Sequence, residues 1–218
     1  MPQTRATRDR RIVLPDIDWT TYSRLLRAFA ERPAVRLTYD RGTLEIMSPL
    51  LRHDNRGRFL GRMVIVLTEE LGLPVMGGGS TTFRRRGKRK GLEADDCFWI
   101  ANEPQMRGKD HVDLRVDPPP DLAIEVDVTR SSLDRMAIYS ALRVPEVWRM
   151  DDPGTLSFHA LQPKGDYQDV SHSVAFSFVT PAALLRFLAL RATLDENTVI
   201  AQFRAWVRQQ ISSKSKTP

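Results

Sequence analysis

At 218 residues the chain is long enough for one substantial core and short for two, and 41% hydrophobic with 28% charged residues is the balance of a soluble globular protein, not of a disordered one. No run of about 18 apolar residues occurs, and no apolar segment follows the basic start MPQTRATRDRRIVL, which argues against a membrane span or a secretory leader and makes the cytoplasm the expected compartment. A net charge of +6 favours a polyanionic partner, while the lone Cys97 excludes an internal disulfide or a cysteine-cluster metal site and reads as a small buried hydrophobe.

Residues 1–16 carry Arg5, Arg8, Arg10 and Arg11 without a sustained apolar period, the pattern of a basic arm that is either solvated or in touch with phosphates. One domain is expected over 17–210, with a polar tail at 211–218. From Asp18, a good N-cap, Trp19, Tyr22, Leu25, Leu26 and Phe29 recur at helical spacing and predict an amphipathic packing helix. AVRLTYDRGTLEIMS predicts two strands that turn at Asp40, Arg41 and Gly42. Glu45 falls on the face opposite Leu44 and Ile46, either as an exposed strand carboxylate or as part of a site.

Residues 51–72 predict the longest helix, with Leu60, Met63, Val64, Leu67 and Leu71 as its core stripe. His53 stands in its first turn, near the end of the preceding strand, where it is either structural or in reach of a site. Arg52, Arg56, Arg58 and Arg62 make the remaining face basic. The following GGGS is not a phosphate-binding Walker loop, because no GKS or GKT closes it. After it come a short strand and the densest basic cluster, Arg84, Arg85, Arg86, Lys88, Arg89 and Lys90, just ahead of GLEADDC. Like charges packed so closely gain most when a polyanion binds, so contact with a phosphate backbone stands beside the reading of a solvated loop.

A connection over 101–120, ending in three prolines, leads stiffly into PDLAIEVDV. There Leu122, Ile124, Val126 and Val128 alternate with Asp121, Ala123, Glu125 and Asp127, so a strand would carry aliphatic residues on one face and carboxylates on the other. A row of carboxylates on a core strand calls for a cation, a basic partner or water. Ser131 and Asp134 have capping-box spacing, and the helix after them would turn Leu133, Met136, Ala137 and Ser140 to the core, with Arg135 and Tyr139 sharing another face. VPEVWRMD predicts a second strand, completing a strand, helix and strand unit with Glu125 and Asp127 near the carboxyl end of the first strand, where open sheets place their sites. Beyond the DDPG turn, TLSFHAL and SHSVAFSFV predict antiparallel strands, and PAALLRFLALRA and 195–210 predict closing helices.

The segments LEIMSPLLRHDNRGRFLGRMV, GLEADDCF and PDLAIEVDVTRSSLDRMAIYSALRVPEVW, in that order, resemble the Uma-type restriction endonuclease family of the PD-(D/E)XK nuclease superfamily over roughly 15–190. The resemblance implies an α/β restriction endonuclease-like fold, a mixed sheet flanked by helices, and a hydrolase that cuts DNA with Mg²⁺ or Mn²⁺; it leaves RNA, and the pairing of two copies into a homodimer, open. Carried over position by position, it makes Asp95 and Glu125 the catalytic and metal-binding pair, with Asp96 competing for the place of Asp95 because strand alternation would aim only one of the two inward. It also favours a site role for Glu45.

One departure from the family pattern is Asp127, which stands where a (D/E)XK motif starting at Glu125 has lysine. Relatives supply the cation from the following helix, and Arg135 occupies that place. Arginine can hold a scissile phosphate, but with a pKa above about 12 it is a poor general base, so activation of the water would fall to the metal. Asp127 is then a further ligand or a clamp on Arg135. Against this stands a salt-bridge network of Asp121, Glu125, Asp127, Arg130 and Arg135 that only fixes the packing.

Overall fold

The prediction of an α/β architecture holds, but two sheets organise it instead of one. The computed structural model describes residues 10–30, 35–48, 51–127, 131–151 and 154–214; the side chains of residues 10, 51–54, 127 and 214 also fall outside the description. Along the chain come β1 (Arg10–Leu14), α1 (Trp19–Ala28), β2 (Arg36–Asp40), β3 (Thr43–Ser48), α2 (Leu51–Leu71), β4 (Met76–Gly77), β5 (Thr82–Arg85) and β6 (Lys90–Glu93). Then follow β7 (Asp96–Trp99), α3 (Glu103–Met106), β8 (Leu122–Asp127), α4 (Arg135–Leu142), β9 (Glu146–Asp151), β10 (Thr155–Leu161), β11 (Tyr167–Val170), α5 (Pro181–Leu190) and α6 (Glu196–Lys214). The first sheet is antiparallel in the order β1-β3-β2-β6-β5. The second has the order β11-β10-β9-β8-β7-β4, antiparallel except for the parallel β8–β9 pair that α4 connects. This is the mixed sheet flanked by helices of a restriction endonuclease-like fold.

Local chemistry sets the elements as their composition predicts. Asp18 accepts from the backbone N–H of Thr21 at 2.8 Å and starts α1, whose aromatic stripe lies on Leu37, Tyr39 and Leu44. Arg41 and Gly42, both at positive φ, make the tight turn between β2 and β3. Phe59, Leu60, Met63, Val64 and Leu67 of α2 pack on Leu122, Ile124 and Val126 of β8, each such side chain contributing roughly 1.5–3 kcal/mol relative to exposure. The opposite face of the second sheet, with Cys97, Trp99, Ala123 and Val147, is covered by Ile138, Tyr139 and Leu142 of α4 and by Phe83 and Leu92 of the first sheet. Burial on both faces explains why β8 is apolar apart from its carboxylates.

Five local predictions are corrected. The buried face of α4 is Arg135, Ile138, Tyr139 and Leu142, not the Leu133, Met136, Ala137 and Ser140 face. Its cap is Asp134 itself, accepting from the N–H of Ala137, while Ser131 turns to Glu45. SHSVAFSFV forms bends in place of a strand, held where Glu146 accepts from Ser173 and from the N–H of Ala175; the strand beside β10 is Tyr167–Val170. Residues 10–14, placed in the arm by sequence, pair with β3, and α6 continues past 210 to Lys214. No described helix is long and apolar enough to cross a membrane.

Candidate active site

β6 lies in the first sheet and β7 in the second, so Ala94 and Asp95 are the crossing point between them. There the backbone N–H of Asp95 donates to the carbonyl of Ile124 at 3.2 Å, its Oδ2 accepts from the N–H of Val126 at 2.6 Å, and its Oδ1 forms a buried ion pair with Nη1 of Arg36 on β2. α2 packs beside it at Gly57, where a Cβ would stand at an ordinary contact distance, 3.4 Å, from that of Asp95. Asp96 goes elsewhere. Its carboxylate accepts from the N–H of Cys97 at 2.9 Å and fills the space left by Gly61, where any side chain would collide with it. Burial there pushes its pKa up to about 6.

The β7–β8 register, Asp96 opposite Ile124, brings Asp95 level with Glu125. Glu125 is buried on the α4 side of β8. Its Oε1 meets Nε of Arg135 at 2.5 Å, and its Oε2 accepts from Nη2 of Arg135 at 2.8 Å and from the Tyr139 hydroxyl at 2.7 Å. Arg135 and Tyr139, one helical turn apart, thus both serve Glu125. The same guanidinium donates to Thr38 Oγ1 of β2 at 2.6 Å and to the carbonyl of Glu93 at 2.7 Å. Arg135 is 9% exposed, and the neighbouring carboxylate of Glu125 holds its pKa up against the opposing effect of burial. Structure therefore brings the Asp95 and Glu125 backbones together and gives each carboxylate its own arginine.

Glu45 is buried, which corrects the reading of an exposed strand carboxylate. It accepts from Ser131 Oγ at 2.9 Å, from the N–H and Oγ of Ser132 at 3.0 and 2.8 Å, and from Arg11 at 3.1 Å. Burial opposes ionisation, but the Ser132 bonds, Arg11 and Ser131 together hold its pKa below the ordinary value. It pins the turn that enters α4. Beside that turn, Glu125, Ser131, Ser132, Arg135 and Arg149 line a cavity of about 320 Å³.

Comparison with known families settles the relationship. The sequence profile of Uma2, a family described as "Putative restriction endonuclease", matches residues 19–195. The chain belongs to the Uma2 family. A search of curated proteins finds no match. Membership places the chain among nucleases at the level of the family, and the matched span contains Asp95, Glu125, Arg135 and Glu45 alike.

Other predicted residues of this Uma2 chain fare differently. The basic cluster is a hairpin in which Arg84, Arg86, Lys88 and Arg89 are exposed and Arg85 is half-buried. Lys90 is withdrawn from it: it is buried and bound to Asp40 at 2.9 Å. Asp121 is not part of the Glu125 network; it accepts from the N–H groups of Ile100 and Asn102 at 2.7 and 3.0 Å. The side chains of His53 and Asp127, and the whole of Arg130, lie outside the described residues. Among the described residues no group of three or more His, Cys, Asp or Glu is arranged to hold a metal ion.

Sequence reasoning missed Arg36, Gly61 and Tyr139. Tyr139 had a signal, its four-residue spacing from Arg135, and so did Gly61, a glycine inside a long helix. Arg36 had none, because only the pairing of distant strands brings it to Asp95. Also unforeseen is a hydrogen-bonded row on the Glu125 face of the second sheet, Ser157 Oγ to His159 Nε2 at 2.8 Å and His159 Nδ1 to Asp169 at 2.8 Å. Its Asp169 is 81% exposed, unlike the buried aspartate that orients a hydrolytic triad.

Proposed function

We propose that this chain is a metal-dependent endonuclease that hydrolyses phosphodiester bonds of DNA. The observation that carries the reading is the placement of Asp95, at the crossing between the sheets, level with Glu125 across β7 and β8. Two hard carboxylates, Asp95 just ahead of β7 and Glu125 on the neighbouring β8, suit Mg²⁺ or Mn²⁺, which take one or two carboxylates and fill the rest of their shell with water and phosphate oxygens. Such an ion, when bound, would lower the pKa of a water and offset charge on the phosphate. Asp95 and Glu125 would hold it. Arg36 and the Val126 N–H orient Asp95, Arg135 and Tyr139 orient Glu125, and Glu45 fixes the turn at the mouth of the cavity. The exposed arginines and lysine of the β5–β6 hairpin supply a surface for the nucleic-acid backbone.

The test is a plasmid incubated with Mg²⁺ or Mn²⁺. Nicking by the wild type, lost in Glu125→Gln, supports the reading; equal cutting by both removes this site from the activity. A second reading, a nuclease fold that binds nucleic acid without cutting it, draws on one observation: both carboxylates are already compensated by arginines. Salt-dependent binding of DNA, with no cleavage under either metal, would favour it.

A further inference from the structure

The sequence nominates Arg135 to hold the scissile phosphate, but its position speaks against that use. Its guanidinium is buried, donates to Thr38, to the carbonyl of Glu93 and to Oε2 of Glu125, and is in ion-pair contact with Oε1. Turning it toward a substrate would take from the buried Glu125 the guanidinium that compensates its charge, a costly change for a carboxylate. A second cation reaches the same cavity. Arg149 stands on β9 directly beside Glu125 in the parallel β8–β9 register, on the same face of the sheet. Parallel neighbours lie about 4.8 Å apart, and both side chains line the cavity of about 320 Å³ at the carboxyl ends of these strands.

The Arg149 side chain is 32% exposed, and its Nε bonds Asp151 at 3.1 Å, a carboxylate itself 48% exposed. A pair so open to water contributes little to stability and exchanges readily for another anion. A phosphate offers more than Asp151 does, since the planar guanidinium can engage two of its oxygens at once. Among the described residues that line the cavity, Asp134 is engaged at the start of α4, where it accepts from the N–H of Ala137.

We propose that Arg149, and not Arg135, is the residue that grips the substrate phosphate beside Glu125; the proposal rests on the nuclease reading above. The experiment compares wild type, Arg149→Ala, Arg149→Lys and Glu125→Gln in two assays: binding of a fluorescent DNA duplex in EDTA across a salt series, and plasmid cleavage at saturating DNA with Mg²⁺. Arg149→Ala should lower the cleavage rate by about 10²-fold and reduce the slope of log affinity against log salt by about 1. Arg149→Lys should recover the slope but only part of the rate, because a point charge cannot replace the fork. Thermal melting should not change in either variant. If Arg149→Ala binds and cuts like the wild type while Glu125→Gln is dead, the proposal falls and the nuclease reading stands. If Glu125→Gln cuts like the wild type, both fall together.

Discussion

Two glutamates, one on each of the parallel strands β8 and β9, are buried to nearly the same degree and have opposite surroundings. Glu146 is closed in by neutral donors: Trp148 Nε1 at 2.8 Å, Ser173 Oγ at 3.2 Å and the N–H of Ala175 at 2.9 Å. Burial raises its pKa, and its bonds fold the bends at 171–179 over the core, so that Phe176 reaches Trp148. Glu125 instead takes a guanidinium and a phenol on one side and opens on a cavity that Arg149 shares. A buried, perturbed acid is therefore not by itself the sign of a site. What distinguishes Glu125 is an arginine that holds it and a cavity that reaches it.

The strongest way to break this comparison is to remove its arginine. Arg135→Ala leaves Glu125 buried and uncompensated, with an expected loss of about 3–5 kcal/mol in urea unfolding; a loss no larger than that of an exposed arginine would mean that Arg135 is not what holds Glu125. Next comes activity. Glu125→Gln should lower plasmid nicking by more than about 100-fold, whereas Glu146→Gln should leave the rate at saturating DNA within about threefold, since loss of a group that only orients a metal ligand costs ~10–100-fold and Glu146 touches neither Asp95 nor Glu125 but Trp148, Ser173 and Ala175. Comparable losses in both would erase the distinction.

Smaller effects sharpen it. Tyr139→Phe removes one of the donors to Glu125 and should cost about 1–3 kcal/mol in the same unfolding measurement. The pH dependences of two acids should have opposite signs. Glu45, its pKa lowered in the folded chain, contributes stability that is present above the ordinary value of 4.5 and is lost as pH falls through the folded value. Asp96, raised from 3.8 to about 6, works the other way: stability declines as pH rises through that window. Urea midpoints between pH 3 and about 7 should therefore show Asp96→Asn flattening the decline from 3.8 to about 6 and Glu45→Gln flattening the loss below 4.5. Slopes of the same sign in both variants would contradict this assignment.

Much of the frame was legible because it follows local rules. Asp18 as a cap, the Arg41 and Gly42 turn, the α2 stripe and the strand, helix and strand unit around Glu125 depend on neighbours in sequence, and they stand where composition and spacing place them. The arrangement of the site was only half legible. Asp95 and Asp96 take different partners at a bend ahead of β7, and the first sheet's contribution, Arg36 to Asp95 and Thr38 to Arg135, arises from strands paired across more than fifty residues, which no local pattern encodes. The face of α4 was misread for a related reason: hydrophobicity counts Arg135 and Tyr139 as an outer face, whereas a buried carboxylate on β8 makes that face the inner one. Glu146 was passed over because its partners are a loop that hydrophobic alternation disguises as a strand.

Whether Asp95 and Glu125 jointly take up a divalent ion is read, without needing catalysis, by Mn²⁺ titration followed by electron paramagnetic resonance. Wild type and Asp96→Asn should each remove free Mn²⁺ signal as one ion binds per chain, while Asp95→Asn and Glu125→Gln, folded by circular dichroism, should leave it free. Binding as tight in Asp95→Asn and Glu125→Gln as in the wild type would contradict the account.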